Sequence, residues 1–442
     1  MSKEKKKIYK PRSISGFPEW LPETRMVEQQ WMDSFRRVFE KYGFCSIETA
    51  AVEEVDVLLA KGETDKEIYT LTRLQADEKD KSDARLALHF DQTVPLARYT
   101  ALNFNDLVFP FKRYQMQKVW RGERPQLGRE REFYQCDIDV IAVDNLPLHF
   151  DAEMPAVIYE ALESIDIGRV QIKLSNRKVL QGVLQHLGID DIIQTTRIID
   201  KLDKITADGV RKLLLDEINL NSDQIDSLLQ LSTIKTRNPD ELKSAINDLG
   251  IENELLIEGR DELVFVLTHL QDLPEHAIIA DLSIVRGLDY YTGTVYETRL
   301  LDIPEFTSSV CSGGRYDDLA GGYINKHLPG VGISIGLTRL FGVLLENGYI
   351  KNKKMSPAQI LMFLPSEETR IEASRTAKIL RDRGFKVEMY HAPQKFKKQI
   401  SYAQKKGIDY IWFPPFDENG KHEIKNLNTG EQIEADPNNW EI

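Results

Sequence analysis

Apolar residues at Val27, Trp31, Phe35, Val38, Phe39 and Tyr42 recur at the three- and four-residue spacing of one helix face, and Gly43 follows as a C-cap. A strand-like run from Phe44 to Val52 comes next, so helix and strand present one apolar surface, the material of a core or of a subunit interface. A different period governs residues 112–143, which read as two strands joined by a long charged loop holding Gly122, Pro125 and Gly128. On the second strand Tyr134, Cys136, Ile138, Val140 and Ala142 fall on one face, and Arg131, Phe133, Gln135, Asp137 and Asp139 on the other. On the first strand Arg113, Gln115, Gln117 and Arg121 share a face, and closing the hairpin sets the two polar faces side by side.

The remainder divides by pattern. Residues 185–270 read as helix after helix, rich in Leu, Ile and Asp. Pro329 to Leu340 reads as a strand, a glycine and a helix with Arg339 in its first turn. A polar link at 347–354 precedes residues 357–442, a separate α/β unit.

Composition narrows the class. The chain has 442 residues, enough for two to four domains. With 41% hydrophobic and 29% charged residues it is an ordinary globular protein and not a disordered one. The net charge of −12 excludes a wholly basic nucleic-acid coat, so any such contact needs a local patch. Residues 370–406 offer one, with eleven Lys/Arg against three Asp/Glu, although a solvated helical face has the same composition. No stretch approaches the ~18 apolar residues of a membrane span. The basic start Met1–Lys7 has no apolar core after it, so a secretory signal is not expected. Cys45, Cys136 and Cys311 are far apart, which suits a reducing compartment and not a zinc cluster. The eight histidines lack ligand spacing, so no protein-built metal site is expected.

Four segments carry candidate chemistry. In 112–143, arginines and an aromatic ring stand beside carboxylates. That set suits a ligand with phosphates, a flat base and a cationic group, and equally an exposed salt-bridged hairpin. In 281–297, Arg286-Gly287 is followed by Asp289-Tyr290-Tyr291, an odd composition for a plain strand unless the tyrosines are half-buried core. Ser312-Gly313-Gly314-Arg315-Tyr316-Asp317 has adjacent glycines, which allow close backbone approach to a ligand or simply a turn. Arg339 at a helix start favours anions. The glycines match neither a P-loop nor a Rossmann fingerprint.

Together these segments resemble the histidyl-tRNA synthetases, of the class II aminoacyl-tRNA synthetases, nearly end to end. Tyr42 to Glu53 is similar to motif 1. Arg121-x-Glu123-Arg124-Pro125 through Phe133-Tyr134-Gln135-Cys136-Asp137 is similar to motif 2, and Gly332 to Leu340, with Arg339, to motif 3. Val285–Tyr291 and Gly313–Asp317 resemble the two histidine signatures. Asn176-Arg177-Lys178 and Lys397-Lys398-Gln399 also sit where the family has similar residues.

The resemblance implies an α+β fold: an antiparallel sheet flanked by helices, with a helical insertion and a C-terminal α/β anticodon-binding domain. The corresponding boundaries are 1–184 and 273–346 for the catalytic core, 185–272 for the insertion, 347–356 for the linker and 357–442 for the last domain. It implies a cytoplasmic homodimer built partly on motif 1. It also implies two-step chemistry, in which L-histidine and ATP give histidyl-adenylate and pyrophosphate, and histidine then passes to the 3′ end of tRNA(His). Mg²⁺ enters as the ATP counter-ion.

By the same resemblance Arg121 and Arg286 are the catalytic pair on the α-phosphate. Glu123 and Phe133 orient and stack the adenine. Arg129, Arg131 and Arg339 meet the outer phosphates. Asp91, Thr93 and Gln135 hold the amino acid's ammonium and carboxylate, Asp139 and Tyr291 bind the imidazole, and Tyr290 and Tyr316 wall the pocket. Gln126 faces the tRNA acceptor end, and 370–406 becomes a tRNA-facing surface.

The sequence departs from the pattern at several places. Ala50 stands for the motif 1 proline and His89-Phe90 for Arg-Tyr or Arg-Pro. Thr338 stands for Glu, Asp318 for Gly, and Phe413-Pro414-Pro415-Phe416 for a glycine-bearing strand end. Two other readings remain: the histidine-sensing regulatory subunit of ATP phosphoribosyltransferase, and a class II synthetase for proline or threonine. The first typically lacks the C-terminal domain and loses signature residues, and the Arg286–Tyr291 signature argues against the second.

Overall fold

The computed structural model describes residues 9–59, 67–74, 85–203, 205–284, 291–318, 320–352, 354–415 and 420–442. The chain divides into two compact units, Met1–Pro18 with Trp31–Tyr349, and Glu19–Gln30 with Ile350–Ile442.

The strands of the first unit are β1 (Cys45–Ser46), β2 (Val52–Glu54), β3 (Leu86–Leu88), β4 (Phe111–Trp120), β5 (Glu132–Ile141), β6 (Val170–Asn176), β7 (Lys235–Thr236), β8 (Ile278–Asp281), β9 (Thr294–Leu300), β10 (Cys311–Tyr316) and β11 (Gly330–Gly336). Nine of them form one sheet in the order β1-β4-β5-β11-β10-β9-β6-β8-β7, and β2 pairs with β3 apart from it. The pairing is antiparallel except for β1 with β4 and β6 with β8. The unit's helices are the later part, from Trp31, of α1 (Pro22–Lys41), then α2 (Val55–Leu59), α3 (Thr93–Leu102), α4 (His149–Glu163), α5 (Arg177–His186), α6 (Ile192–Ile199), α7 (Ala207–Ile218), α8 (Ser222–Thr233), α9 (Pro239–Asn247), α10 (Glu254–His269) and α11 (Leu337–Glu346). Helix α4 packs on β11 and β6, and α11 on β5 and β11.

The alternation read from 131–142 is realised in β5. Cys136, Ile138 and Val140 are buried on the apolar side, while Gln135, Asp137 and Asp139 face the other way. In the hairpin register Arg113 opposes Asp139, Gln115 opposes Asp137 and Gln117 opposes Gln135. β11 closes the other edge of β5, with Gly332 opposite Asp139, Ser334 opposite Asp137 and Gly336 opposite Gln135.

Gly43, at φ 79°, ends α1 in a Schellman arrangement. Its N–H donates to the Glu40 carbonyl at 3.0 Å, and the Phe44 N–H to Phe39 at 3.1 Å. The strand expected from Phe44 to Val52 is broken into β1 and β2. Between them two side-chain amides and one isolated main-chain bond stand in for the ladder. Gln117 Nε2 donates to the Thr49 carbonyl at 2.9 Å, Gln115 Nε2 to Thr49 Oγ1 at 3.0 Å, and the His89 N–H to the Ala51 carbonyl at 3.1 Å. Backbone groups satisfied this way need no strand partner.

The run of helices from 185 to 270 holds one exception. β7 pairs antiparallel with β8, Lys235 against Asp281 and Thr236 against Ala280, and the Leu282 N–H donates to the Ile234 carbonyl at 3.1 Å. Asp281 takes Lys173 at 2.8 Å and Lys235 at 3.3 Å.

The second unit carries β12 (Ile360–Met362), β13 (Val387–Met389), β14 (Tyr410–Phe413), β15 (Glu423–Asn426) and β16 (Gln432–Glu434) in the order β13-β12-β14-β15-β16, with α12 (Arg370–Asp382) and α13 (Phe396–Lys406). Trp412, Phe413, Phe363 and Leu380 lie in its core. Arg375, Lys378, Lys397, Lys398 and Lys405 are exposed on the two helices. The chain is an α+β protein, and among the described residues no helix is long and apolar enough to cross a membrane.

Candidate active site

The front of β5 is the floor of two contiguous cavities. The outer cleft, about 620 Å³, is lined by Arg121, Glu123, Arg129, Glu130, Phe133, Gln135 and Arg339 among others. The inner pocket, about 250 Å³, is lined by Thr93, Asp137, Asp139, Tyr291, Tyr316 and Gly332 with its neighbours. Ser312 and Ser334 line both, so one space runs from arginines at one end to carboxylates at the other.

In the outer cleft the Arg121 guanidinium lies over the Phe133 ring, 5.2 Å from its centroid. Its Nε donates to the Phe90 carbonyl at 3.0 Å, leaving the fork free to turn to an anion. Arg129 pairs with Glu123 at 3.2 Å. Arg339, in the first turn of α11, is fixed by Nε to the Gly128 carbonyl at 2.5 Å and by Nη1 to Ser309 at 3.0 Å. Burial and then the like charges of Arg129 and Arg121 lower its pKa, so these cations repel one another until an anion arrives. Arg131 is not among the residues that line the cleft. Its Nε donates to the Glu123 carbonyl at 3.1 Å, which ties down the loop.

In the inner pocket Asp139 takes Arg113 Nη2 on Oδ2 at 2.6 Å and accepts the Tyr316 hydroxyl on Oδ1 at 3.0 Å. Gly332 makes room for it, since a Cβ there would lie 2.0 Å from Asp139 Oδ1. The Tyr291 ring occupies the space over Gly314 in the same way. Burial raises the Asp139 carboxyl to about 6, against the pull of Arg113. Burial raises Asp137 further, to about 7. Asp91 accepts the Val94 N–H at 3.1 Å at the start of α3 and acts on both carboxyls by charge. Gln135 donates to Ser334 Oγ at 2.8 Å.

The structure thus brings Arg121, Glu123, Arg129, Phe133, Gln135 and Arg339 to the outer cleft, and Thr93, Asp139, Tyr291 and Tyr316 to the inner pocket. Arg286 and Tyr290 lie outside the described residues. Asp137, Ser334 and the fully buried Arg113 were not assigned from the sequence. Their signal was the period-two face of the hairpin, which placed Asp137 and Arg113 there without ranking them. Two departures find partners: the Thr338 hydroxyl accepts the Tyr134 N–H at 2.8 Å, and His89 Nε2 meets the Lys118 carbonyl at 2.8 Å. Burial lowers the His89 pKa, so the ring is neutral, with its proton on Nε2.

A profile of the family described as Histidyl-tRNA synthetase matches residues 16–340, and one described as Anticodon binding domain matches residues 357–440. The chain is 56% identical over 434 residues to a histidine–tRNA ligase of Thermobifida fusca (strain YX), covering 98% of this chain and 99% of that one. It is 46% identical to one from Micrococcus luteus over 440 residues, covering 97% and 95%. A crystal structure of histidyl-tRNA synthetase from Nostoc sp. PCC 7120 superposes with a TM-score of 0.87 at 40% identity, covering 97% of each chain. With arginines and carboxylates at opposite ends of one cleft, and with near full-length relatives of one kind, the chain belongs to the histidyl-tRNA synthetase family.

Proposed function

We propose that this chain is a histidine–tRNA ligase whose two half-reactions run in the paired cavities on β5. A single observation supports this most strongly. Strand β5 spans both ends of the site, with the Phe133 ring in the outer cleft and Asp137 and Asp139 in the inner pocket, while Arg121 and Arg129 enter from the β4–β5 connection, Arg339 from α11 and Tyr316 from β10.

In the first step ATP lies in the outer cleft with its adenine by Phe133 and Glu123 and its outer phosphates by Arg129 and Arg339. Arg131 serves there only through the loop it ties down, or after that loop moves. Histidine enters the inner pocket, with Asp91, Thr93 and Gln135 at its ammonium and carboxylate, and Asp139, Tyr291 and Tyr316 about its ring. Its carboxylate oxygen attacks the α-phosphorus while the bond to the pyrophosphate oxygen breaks, and Arg121 and Arg286 neutralise the charge that builds on the α-phosphoryl oxygens. Catalysis here is positioning and charge stabilisation. In the second step a ribose hydroxyl of the terminal adenosine attacks the histidyl carbonyl and AMP leaves.

Mg²⁺, when bound with ATP, would supply charge neutralisation on the pyrophosphate. Among the described residues no cluster of three or more His, Cys, Asp or Glu is placed to hold a metal. Glu123 and Glu130 are the carboxylates of the cleft wall that would face such an ion, which phosphates and water would otherwise carry. The reading includes a cytoplasmic homodimer, with residues 1–184 and 273–346 as the catalytic core, 185–272 as the helical insertion and 357–442 as the domain that meets the anticodon of tRNA(His).

The test is ATP–pyrophosphate exchange with Mg²⁺ and each of the twenty amino acids in turn. Exchange with histidine alone is expected, and loss of it in a folded Arg286→Ala variant. No exchange with any amino acid, while histidine still binds by calorimetry, would overturn the reading in favour of a regulatory histidine sensor.

A further inference from the structure

Strand β5 outruns its neighbour. β11 ends at Gly336, opposite Gln135, so the amides nearer the start of β5 lose that ladder. Two stand-ins take them. The Thr338 hydroxyl accepts the Tyr134 N–H at 2.8 Å. The Gly16 carbonyl accepts the N–H groups of both Arg131 and Glu132, at 2.8 and 3.0 Å. Toward β4, the Arg131 carbonyl takes the Arg121 N–H at 2.9 Å. The N-terminal segment thus fixes the end of β5 that carries Phe133, and with it one root of the charged loop from Arg121 to Arg131.

The other root is pinned from a different part of the chain. The Gly122 N–H donates to the Glu67 carbonyl at 2.8 Å. Two residues on, Tyr69 is seated on β3, its carbonyl accepting the Leu88 N–H at 2.9 Å. The Phe17 ring meets the Tyr69 ring edge-on, with centroids 6.4 Å apart. Residues 16–17 and 67–69 therefore form one clasp about both roots of the loop.

Only glycine fits this clasp. Gly16 sits at φ 82°, where a side chain is strained. A Cβ there would also lie 2.9 Å from Cγ of Arg131 and Cγ of Pro125, and 3.0 Å from Arg131 Cβ. Neither neighbour can swing aside, because the Pro125 ring is closed and Arg131 Cβ is fixed to the backbone. The loop and the start of β5 give the outer cleft Arg121, Glu123, Arg129, Glu130 and Phe133, and none of them lines the inner pocket. Displacing the clasp shifts one end of the site and spares the other.

Resting on the ligase reading above, we propose that Gly16 is a positioning residue for adenylate formation: its carbonyl and bare α-carbon set the path of the 121–131 loop, and so the placement of Phe133 and the loop arginines against ATP. A shift of a fraction of an ångström at these groups costs rate and affinity although Gly16 touches no substrate.

The experiment compares wild type and Gly16→Ala in ATP–pyrophosphate exchange, with ATP and histidine varied separately. The ATP KM is expected to rise by about tenfold or more while the histidine KM stays within twofold. A merely structural role would lower the fraction of folded enzyme, and so the rate, with both KM values unchanged. An ATP KM within twofold of wild type, or a histidine KM that rises in step with it, overturns the proposal. Should Gly16→Ala not fold, Phe17→Ala, which frees the segment from Tyr69, decides by the same two values. A rise in the ATP KM alone supports the clasp, and any other pattern overturns it. Wild type that fails to exchange with histidine overturns the ligase reading itself, a result separate from unchanged KM values in Gly16→Ala.

Discussion

Arg315 is clamped on Asp151 by three hydrogen bonds, Nε to Oδ1 and Oδ2 at 3.1 Å each and Nη2 to Oδ2 at 2.6 Å. The pair ties β10 to the first turn of α4 and is buried on both sides. Arg315 therefore belongs to the scaffold, while its neighbour Tyr316 projects to the pocket. Removing one partner strands the other charge, at about 3–5 kcal/mol. Arg315→Met and Asp151→Asn should each lower stability by about that much in urea unfolding. In a double-mutant cycle the two losses should not add.

The Asp137 carboxyl, raised to about 7 by burial, makes stability fall with pH. Between about 4 and 7 the unfolded chain loses this proton while the native chain keeps it. The native state therefore weakens as pH rises through that window, and the loss levels off above it. Asp139, at about 6, acts with the same sign over a narrower range. Ligand-free Asp137→Asn should melt higher than wild type at pH 8 by an amount on the order of a few kcal/mol, and near wild type at pH 4. Parallel melting curves across that range would refute the assignment.

Gly332 leaves Asp139 its place, and a Cβ there would meet Oδ1 at 2.0 Å. Gly332→Ala should push the carboxylate off Arg113 and Tyr316. The expected result is a histidine KM raised tenfold or more with the ATP KM nearly unchanged, read in pyrophosphate exchange.

Arg339 does two things at once, holding the Gly128 and Ser309 carbonyls and adding a cation to the outer cleft. Arg339→Ala should raise the ATP KM and lower the exchange rate by about 10²–10³. Arg339→Lys should recover little, since an ammonium cannot span both carbonyls and a phosphate.

Lys397 and Lys398 are exposed at the start of α13. If they meet tRNA phosphates, changing both to Ala should weaken tRNA binding and flatten the salt dependence by about 0.7–0.9 per lost contact. An unchanged slope in filter binding would assign these lysines to solvent.

Much of the site was legible because strand alternation is a strict rule. Arg121, Phe133, Gln135 and Asp139 could be placed on one surface from their spacing, and the hairpin register followed from the two faces. Other features depended on partners far away in the chain. Phe44–Val52 reads as a continuous strand, but the Gln117 amide takes the Thr49 carbonyl that a ladder would use, and the Gln115 amide holds the Thr49 hydroxyl. Asp137 and Asp139 are the same residue on the same face. Only partners brought from other strands tell them apart, Arg113 and Tyr316 at Asp139 and Ser334 at Asp137. The Thr338 departure becomes intelligible only beside the Tyr134 amide, 204 residues away.

The two-residue β7 changes what the helical segment is. It does not hang from the sheet as a removable bead, because its chain supplies the border strand of that sheet. Splicing 185–272 out would bare β8 as an open edge, the template on which foreign strands add. It would also take Lys235 from the buried Asp281, which would keep Lys173 and the Ser283 donors. The segment is a graft rooted on the sheet's edge, and any shortened form of this chain has to keep the Ile234–Thr236 root in place.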